Sequence, residues 1–173
     1  MPQIIPFDIE GEWLKIFQND EKYGMKDKLT NFKVIQYPPL SHANLPFLYV
    51  KMSEGEFASD RQERGKSFLT NSNIRMHHFI GAAKTQKFQY GGKSYVVQTD
   101  KYTDNENNLI ALLATWVDKI VYDNRRRNAS KTGGNYSWNV VAMEFGSFDA
   151  MFGNEQLVGM DIVYTIEVEV ENL

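Results

Sequence analysis

The stretch from Gly159 to Leu173 alternates between apolar and polar positions more cleanly than any other part of the chain. Ile162, Tyr164, Ile166, Val168 and Val170 fall on one side of an extended backbone, and Asp161, Val163, Thr165, Glu167, Glu169 and Glu171 on the other. Side chains alternate faces along a strand, so this pattern predicts a long β-strand with one buried face and one acidic, wetted face. A terminal segment is ordered only by what ties it down, and the strand is expected to complete a sheet that the rest of the chain builds.

Other segments supply the partners. Phe32 to Tyr37 reads as a short strand stopped by Pro38-Pro39. Leu45 to Met52 is apolar on both faces and reads as an interior strand, with Pro46 acceptable at its beginning or at an edge. From Ile74 to Ala82 the alternation returns, with Ile74, Met76, His78 and Ile80 on one face. Lys87 to Val97 reads as a hairpin turning at Gly91-Gly92. Trp138 to Phe145 is a further strand, joined to the last one through Gly146 to Val158, with Gly146, Gly153 and Gly159 as turn points.

Two segments carry the helical period instead. After Asp8, a natural N-cap, Ile9, Trp13, Ile16 and Phe17 form one apolar stripe, and Asn19-Asp20 marks its end. Thr103-Asp-Asn-Glu106 matches a capping box, followed by Leu109, Leu112, Leu113, Trp116, Ile120 and Val121 at three- and four-residue steps. That predicts a helix from Thr103 to Asp123 with a broad apolar face. Between Ser53 and Asn73 no period holds: charges of both signs alternate with Gly55 and Gly65, and the large apolar residues are Phe57, Phe68 and Leu69. A patternless connection of about 20 residues is long for a compact domain. It is read either as a functional loop, with Phe57 and Phe68 as candidate contacts, or as a plain surface loop. The expected fold is α+β: a mainly antiparallel sheet with two amphipathic helices packed on it, in a single domain spanning residues 1–173.

Bulk properties narrow the function. A length of 173 residues suits one domain with a proper core. The formal net charge of −3 offers no global basic field for nucleic acid. With no cysteine, disulfides, thiolate metal sites and cysteine nucleophiles drop out. No apolar run approaches the roughly 20 residues that span a bilayer, and the first residues lack a signal peptide's basic start and apolar run. A cytoplasmic protein without a membrane partner is expected. Aromatic residues make up 13% of the chain, generous enough to suit a β-rich core or a protein interface.

Candidate chemistry is sparse. His77 and His78 are neighbours on a predicted strand and so point to opposite faces, which prevents them from sharing one ion. His42 lies in a Pro-flanked linker, and no metal site is expected. Gly91-Gly92-Lys93-Ser94 resembles the end of a phosphate-binding loop, but the upstream glycine of that motif is missing. No nucleophile elbow or zinc-ligand pair is present, and neither a catalytic set nor a cofactor is expected. Arg125-Arg126-Arg127 has two readings: a cationic helix end that complements the dipole, or a contact for an acidic surface or nucleic acid. The row Glu167, Glu169 and Glu171 is either simply wet, or lines a symmetric assembly in which repetition multiplies its charge.

The order of elements, together with Leu45-Pro-Phe-Leu-Tyr-Val, Thr99-Asp-Lys-Tyr-Thr-Asp-Asn-Glu and Leu157-Val-Gly-Met-Asp-Ile-Val-Tyr-Thr-Ile-Glu-Val, resembles the tail terminator (tail completion) proteins of long-tailed bacteriophages. The 53–73 stretch and the 87–97 hairpin look like additions to that pattern. The resemblance implies a structural virion protein made in a bacterial cytoplasm, without catalysis or cofactor. Such proteins form a ring of six that caps the tail tube, receives the head-completion complex and leaves a central channel for DNA, which passes without sequence readout. The implied partners are further copies of the chain, the tail-tube protein and the head–neck protein. Arg125, Arg126, Arg127, Phe57, Phe68, Glu167, Glu169 and Glu171 are the candidate assembly contacts. Two alternatives stay open: another head–tail connector or tail-tube protein, and a small α+β ligand-binding domain or enzyme.

Overall fold

Residues 5–23, 33–35, 46–57, 71–83, 87–90, 92–96, 108–127, 136–152 and 155–170 are described by the structure, a computed structural model. In chain order the elements are α1 (Ile5–Gln18), β1 (Lys33–Ile35), β2 (Phe47–Phe57), β3 (Asn71–Ala83), β4 (Lys87–Tyr90), β5 (Lys93–Val96), α2 (Leu109–Asp123), β6 (Arg126–Arg127), β7 (Tyr136–Phe152) and β8 (Glu155–Val170). Six strands form one sheet in the order β1-β2-β3-β8-β7-β6. Every neighbouring pair is antiparallel except β1 with β2. The hairpin of β4 and β5 is a separate two-stranded sheet turning at Gly92, whose φ of +78° is left-handed backbone that glycine adopts without penalty. The fold is α+β.

The closing strand is the middle of the sheet. β8 pairs with β3 from Asn71↔Glu169 to Ala83↔Leu157, and with β7 from Tyr136↔Val170 to Phe152↔Glu155. Its expected apolar face is buried: Ile162, Tyr164, Ile166 and Val168 lie opposite or beside Ile74, Met76, His78 and Ile80 of β3. Both helices cover that face. Ile9, Trp13, Leu14 and Phe17 of α1 and Leu109, Ile110, Leu113, Trp116, Val117, Ile120 and Val121 of α2 join the sheet residues in one core cluster. Full burial of each large apolar side chain contributes about 1.5–3 kcal/mol, so the two stripes hold the helices in place.

Several boundaries differ from the sequence expectation, each for a local reason. α1 begins at Ile5, so Asp8 lies inside its first turn and is not the N-cap. Pro6 is acceptable there because the first N–H groups of a helix have no partner inside it. α2 begins at Leu109, shorter than expected, because Asn108 caps it: the Asn108 side chain accepts the Ile110 N–H at 3.0 Å. The capping box at Thr103–Glu106 lies outside the described residues. The long loop expected at 53–73 is shorter, since β2 continues to Phe57 and β3 starts at Asn71. Gly55, Glu56 and Phe57 pair with Ile74, Asn73 and Ser72, and ladder pairing does not require the hydrophobic alternation that this stretch lacks. Likewise Gly146 to Val158 is not a connection. β7 and β8 run through it to the pair Phe152↔Glu155, leaving residues 153–154 between them.

The second face of β8 is only partly acidic and wet. Glu167 and Glu169 are exposed, Asp161 and Thr165 are half-buried, and Val163 is buried. Val163 sits opposite His77 on β3 and Glu144 on β7, and the side chains of this central stretch shield it. Towards the other end of the same face, Phe47, Ala83 and Leu157 form a small apolar cluster with Tyr49 and Phe79 against it. The face therefore grades from aromatic at one end, through a polar centre, to acidic at the other.

Candidate functional site

The polar centre of that face is built from three adjacent strands. His77, on β3, is flanked diagonally by Asp161 on β8, and Ser53 comes from β2 at the irregularity between Met52 and Gly55. His77 Nδ1 lies 2.8 Å from Asp161 Oδ2, and His77 Nε2 lies 2.8 Å from Ser53 Oγ. With the neutral ring, the Asp161 carboxylate takes the Nδ1–H, which leaves the Nε2 lone pair facing the serine hydroxyl. Phe79 stacks on the His77 ring at 5.5 Å and 9° between planes, and Tyr49 stacks on Phe79 at 5.6 Å. Beside them Arg75 Nη2 donates to Glu144 Oε2 at 3.0 Å. Asp161 Oδ1 is inaccessible to solvent and has no hydrogen-bond partner among the described residues. A cleft of about 430 Å³ opens on the Asp161 side of His77, walled by Arg75, Phe79, Glu144, Gly146 and Val163.

On the opposite face His78 is enclosed completely. The Trp13 indole N–H donates to His78 Nε2 at 2.7 Å, and His78 Nδ1–H donates to the Ile162 carbonyl at 3.0 Å. Both ring nitrogens are satisfied only in the neutral form, and burial lowers the pKa to about 4. The two adjacent histidines thus point to opposite faces, as strand geometry requires. Tyr164, packed edge-on against His78, has its hydroxyl pKa raised by burial and by the Asp118 carboxylate 3.1 Å away.

The candidate contacts read from the sequence disperse. Arg125 donates to the Tyr122 carbonyl at 2.7 Å and covers the Tyr122 ring, which is the helix-end role. Arg126 is exposed on β6, while Arg127 lies over the Trp138 ring and reaches Glu12 at 3.6 Å. A shallow cleft of about 880 Å³ runs between the C-terminal ends of α1 and α2, with Arg126 and Arg127 on its wall. Across it Lys22 and Tyr23 both donate to Asp123 Oδ2, at 2.8 and 2.6 Å, which lowers the Asp123 carboxyl pKa. Phe57 ends β2, Glu167 and Glu169 are exposed on β8, and Phe68 and Glu171 lie outside the described residues.

Two features escape sequence reading. The Ser53–His77–Asp161 array joins residues 24 and 84 positions apart, and only the strand register brings them together. The other is the edge of β7. β6 pairs with Trp138 and Asn139 alone, and the Arg125 carbonyl accepts the Val140 N–H. From Val141 to Phe152, no strand among the described residues pairs with β7 on the side away from β8. Val141, Met143 and Phe145 are 47%, 49% and 68% exposed there, although the register sets Met143 opposite Tyr164 and Phe145 opposite Ile162. No family model matches the chain, and no curated protein matches it.

Proposed function

We propose that the chain is a structural virion protein of a long-tailed phage: a tail terminator whose copies close into a ring that caps the tail tube and joins it to the head–neck complex. The observation that carries this reading is the long edge of β7. An unpaired edge with exposed apolar side chains is a template for another chain, and a soluble protein keeps one only where a partner covers it. The likeness of element order to tail terminators supplies the family and the ring of six. Exposed Glu167 and Glu169 suit a surface repeated around a channel through which DNA passes without being read.

The energy of such an assembly comes from the covered edge and its anchors, of which Phe145 is the most exposed. Purified chain mixed with tail tubes and sedimented tests the reading. Tail terminators cosediment as a cap at tube ends and stop tube growth. A chain that stays in the supernatant at every ratio, and leaves tube length unchanged, is something else.

A further inference from the structure

We propose that Ser53, His77 and Asp161 form a nucleophilic site that accepts an acyl group onto Ser53 Oγ. The hydroxyl and Nε2 are within proton-transfer reach at 2.8 Å, and Asp161 at 2.8 Å from Nδ1 fixes the tautomer that leaves Nε2 basic. The alternative acceptor for the Ser53 hydroxyl, the Arg75 carbonyl, is farther away at 3.4 Å, so the shorter bond to His77 prevails. The support is rigid: three neighbouring strands carry the three residues, and Phe79 stacks on the imidazole and holds its plane. Ser53 is exposed, so an electrophile reaches it directly from solvent.

The step balances without any redox partner. His77 Nε2 takes the hydroxyl proton as Ser53 Oγ bonds to the carbonyl carbon of an ester. The bond from that carbon to the leaving oxygen breaks, and the leaving alcohol carries off the proton from Nε2. Water then adds to the acyl carbon with His77 again taking a proton, and Ser53 departs reprotonated. The net change is ester plus water to acid plus alcohol. The cleft of about 430 Å³ lies on the far side of His77 from Ser53 and so does not hold the acyl chain. Small activated esters are therefore the substrate class, with little selectivity for chain length.

The array is separate from the β7 edge on which the ring reading rests, and labelling of Ser53 does not depend on assembly, so either proposal stands or falls alone. The test uses the full chain with a fluorophosphonate probe, read by intact mass and peptide mapping, and with p-nitrophenyl acetate hydrolysis. One phosphonyl adduct on Ser53 is expected, absent from Ser53→Ala and His77→Gln. Asp161 acts through His77 as a positioning residue. Asp161→Asn is expected to slow labelling by about a hundredfold or more, with partial rescue in Asp161→Glu. Circular dichroism of each variant checks the fold. A wild-type chain that labels and hydrolyses no faster than the folded Ser53→Ala variant overturns the proposal, because a purely structural hydrogen-bond network predicts that result.

Discussion

His78 sits among Trp13, Phe17 and Tyr164 with both nitrogens committed, and a second ring proton would set an N–H against the indole N–H of Trp13. The folded chain therefore resists protonation while the unfolded chain accepts it near pH 6.5. Stability is full above pH 6.5 and falls as the pH drops towards about 4, below which this contribution is gone. The difference between the two values corresponds to about 3 kcal/mol. Urea unfolding at a series of pH values checks this; His78→Gln is expected to flatten that slope while losing stability at neutral pH. Trp13→Phe deletes the donor and leaves Nε2 unsatisfied in the core, at a cost of about 1–3 kcal/mol by denaturant midpoint. Gly81 is the second sensitive point. A Cβ there would lie 2.5 Å from Phe47 Cε1, and Phe47 is itself buried, so Gly81→Ala is expected to cost about 1–3 kcal/mol.

At the scale of elements, strong periodicity was the reliable guide. The facing of β8, the inward set Ile74, Met76, His78 and Ile80 on β3, the stripe of α1 and the Gly92 hairpin were all legible because burial imposes those periods. What escaped was governed by backbone pairing or by a single cap. Gly55 to Phe57 and Gly146 to Phe152 lack alternation, yet ladder pairing with β3 and β8 holds them in extended strands. Asn108 captures the start of α2, five residues beyond the start expected at Thr103. Asn108→Ala should then destabilise the chain by about 1 kcal/mol in thermal or denaturant unfolding. The site was less legible than the fold. Nothing local marks Ser53 or Asp161, and the register of three strands is needed before they meet His77. Along the β7 edge, Phe145→Glu is expected to leave monomer stability within about 0.5 kcal/mol, since the side chain is already exposed. The same change should block assembly, which light scattering at matched concentration would register.

For the whole molecule, the architecture separates two faces with different tasks. Helices seal one side of the sheet with nearly the whole apolar core, and the other side grades from aromatic to acidic with a polar array at its centre. Folding draws on the sealed side, which leaves the graded face and the β7 edge available to other chains. Glu167→Gln with Glu169→Gln should accordingly leave unfolding midpoints almost unchanged, both carboxylates being solvated. The proposed function requires the chain to close into a ring. Mass in solution combined with negative-stain images, recorded for the purified chain alone and with tail tubes, tests it most directly. A closed ring is expected, with a mass of about 120 kDa for six chains of 20.0 kDa, formed in solution or at the tube end. A monomer that stays a monomer in the presence of tubes, or an open filament of stacked copies, would contradict it.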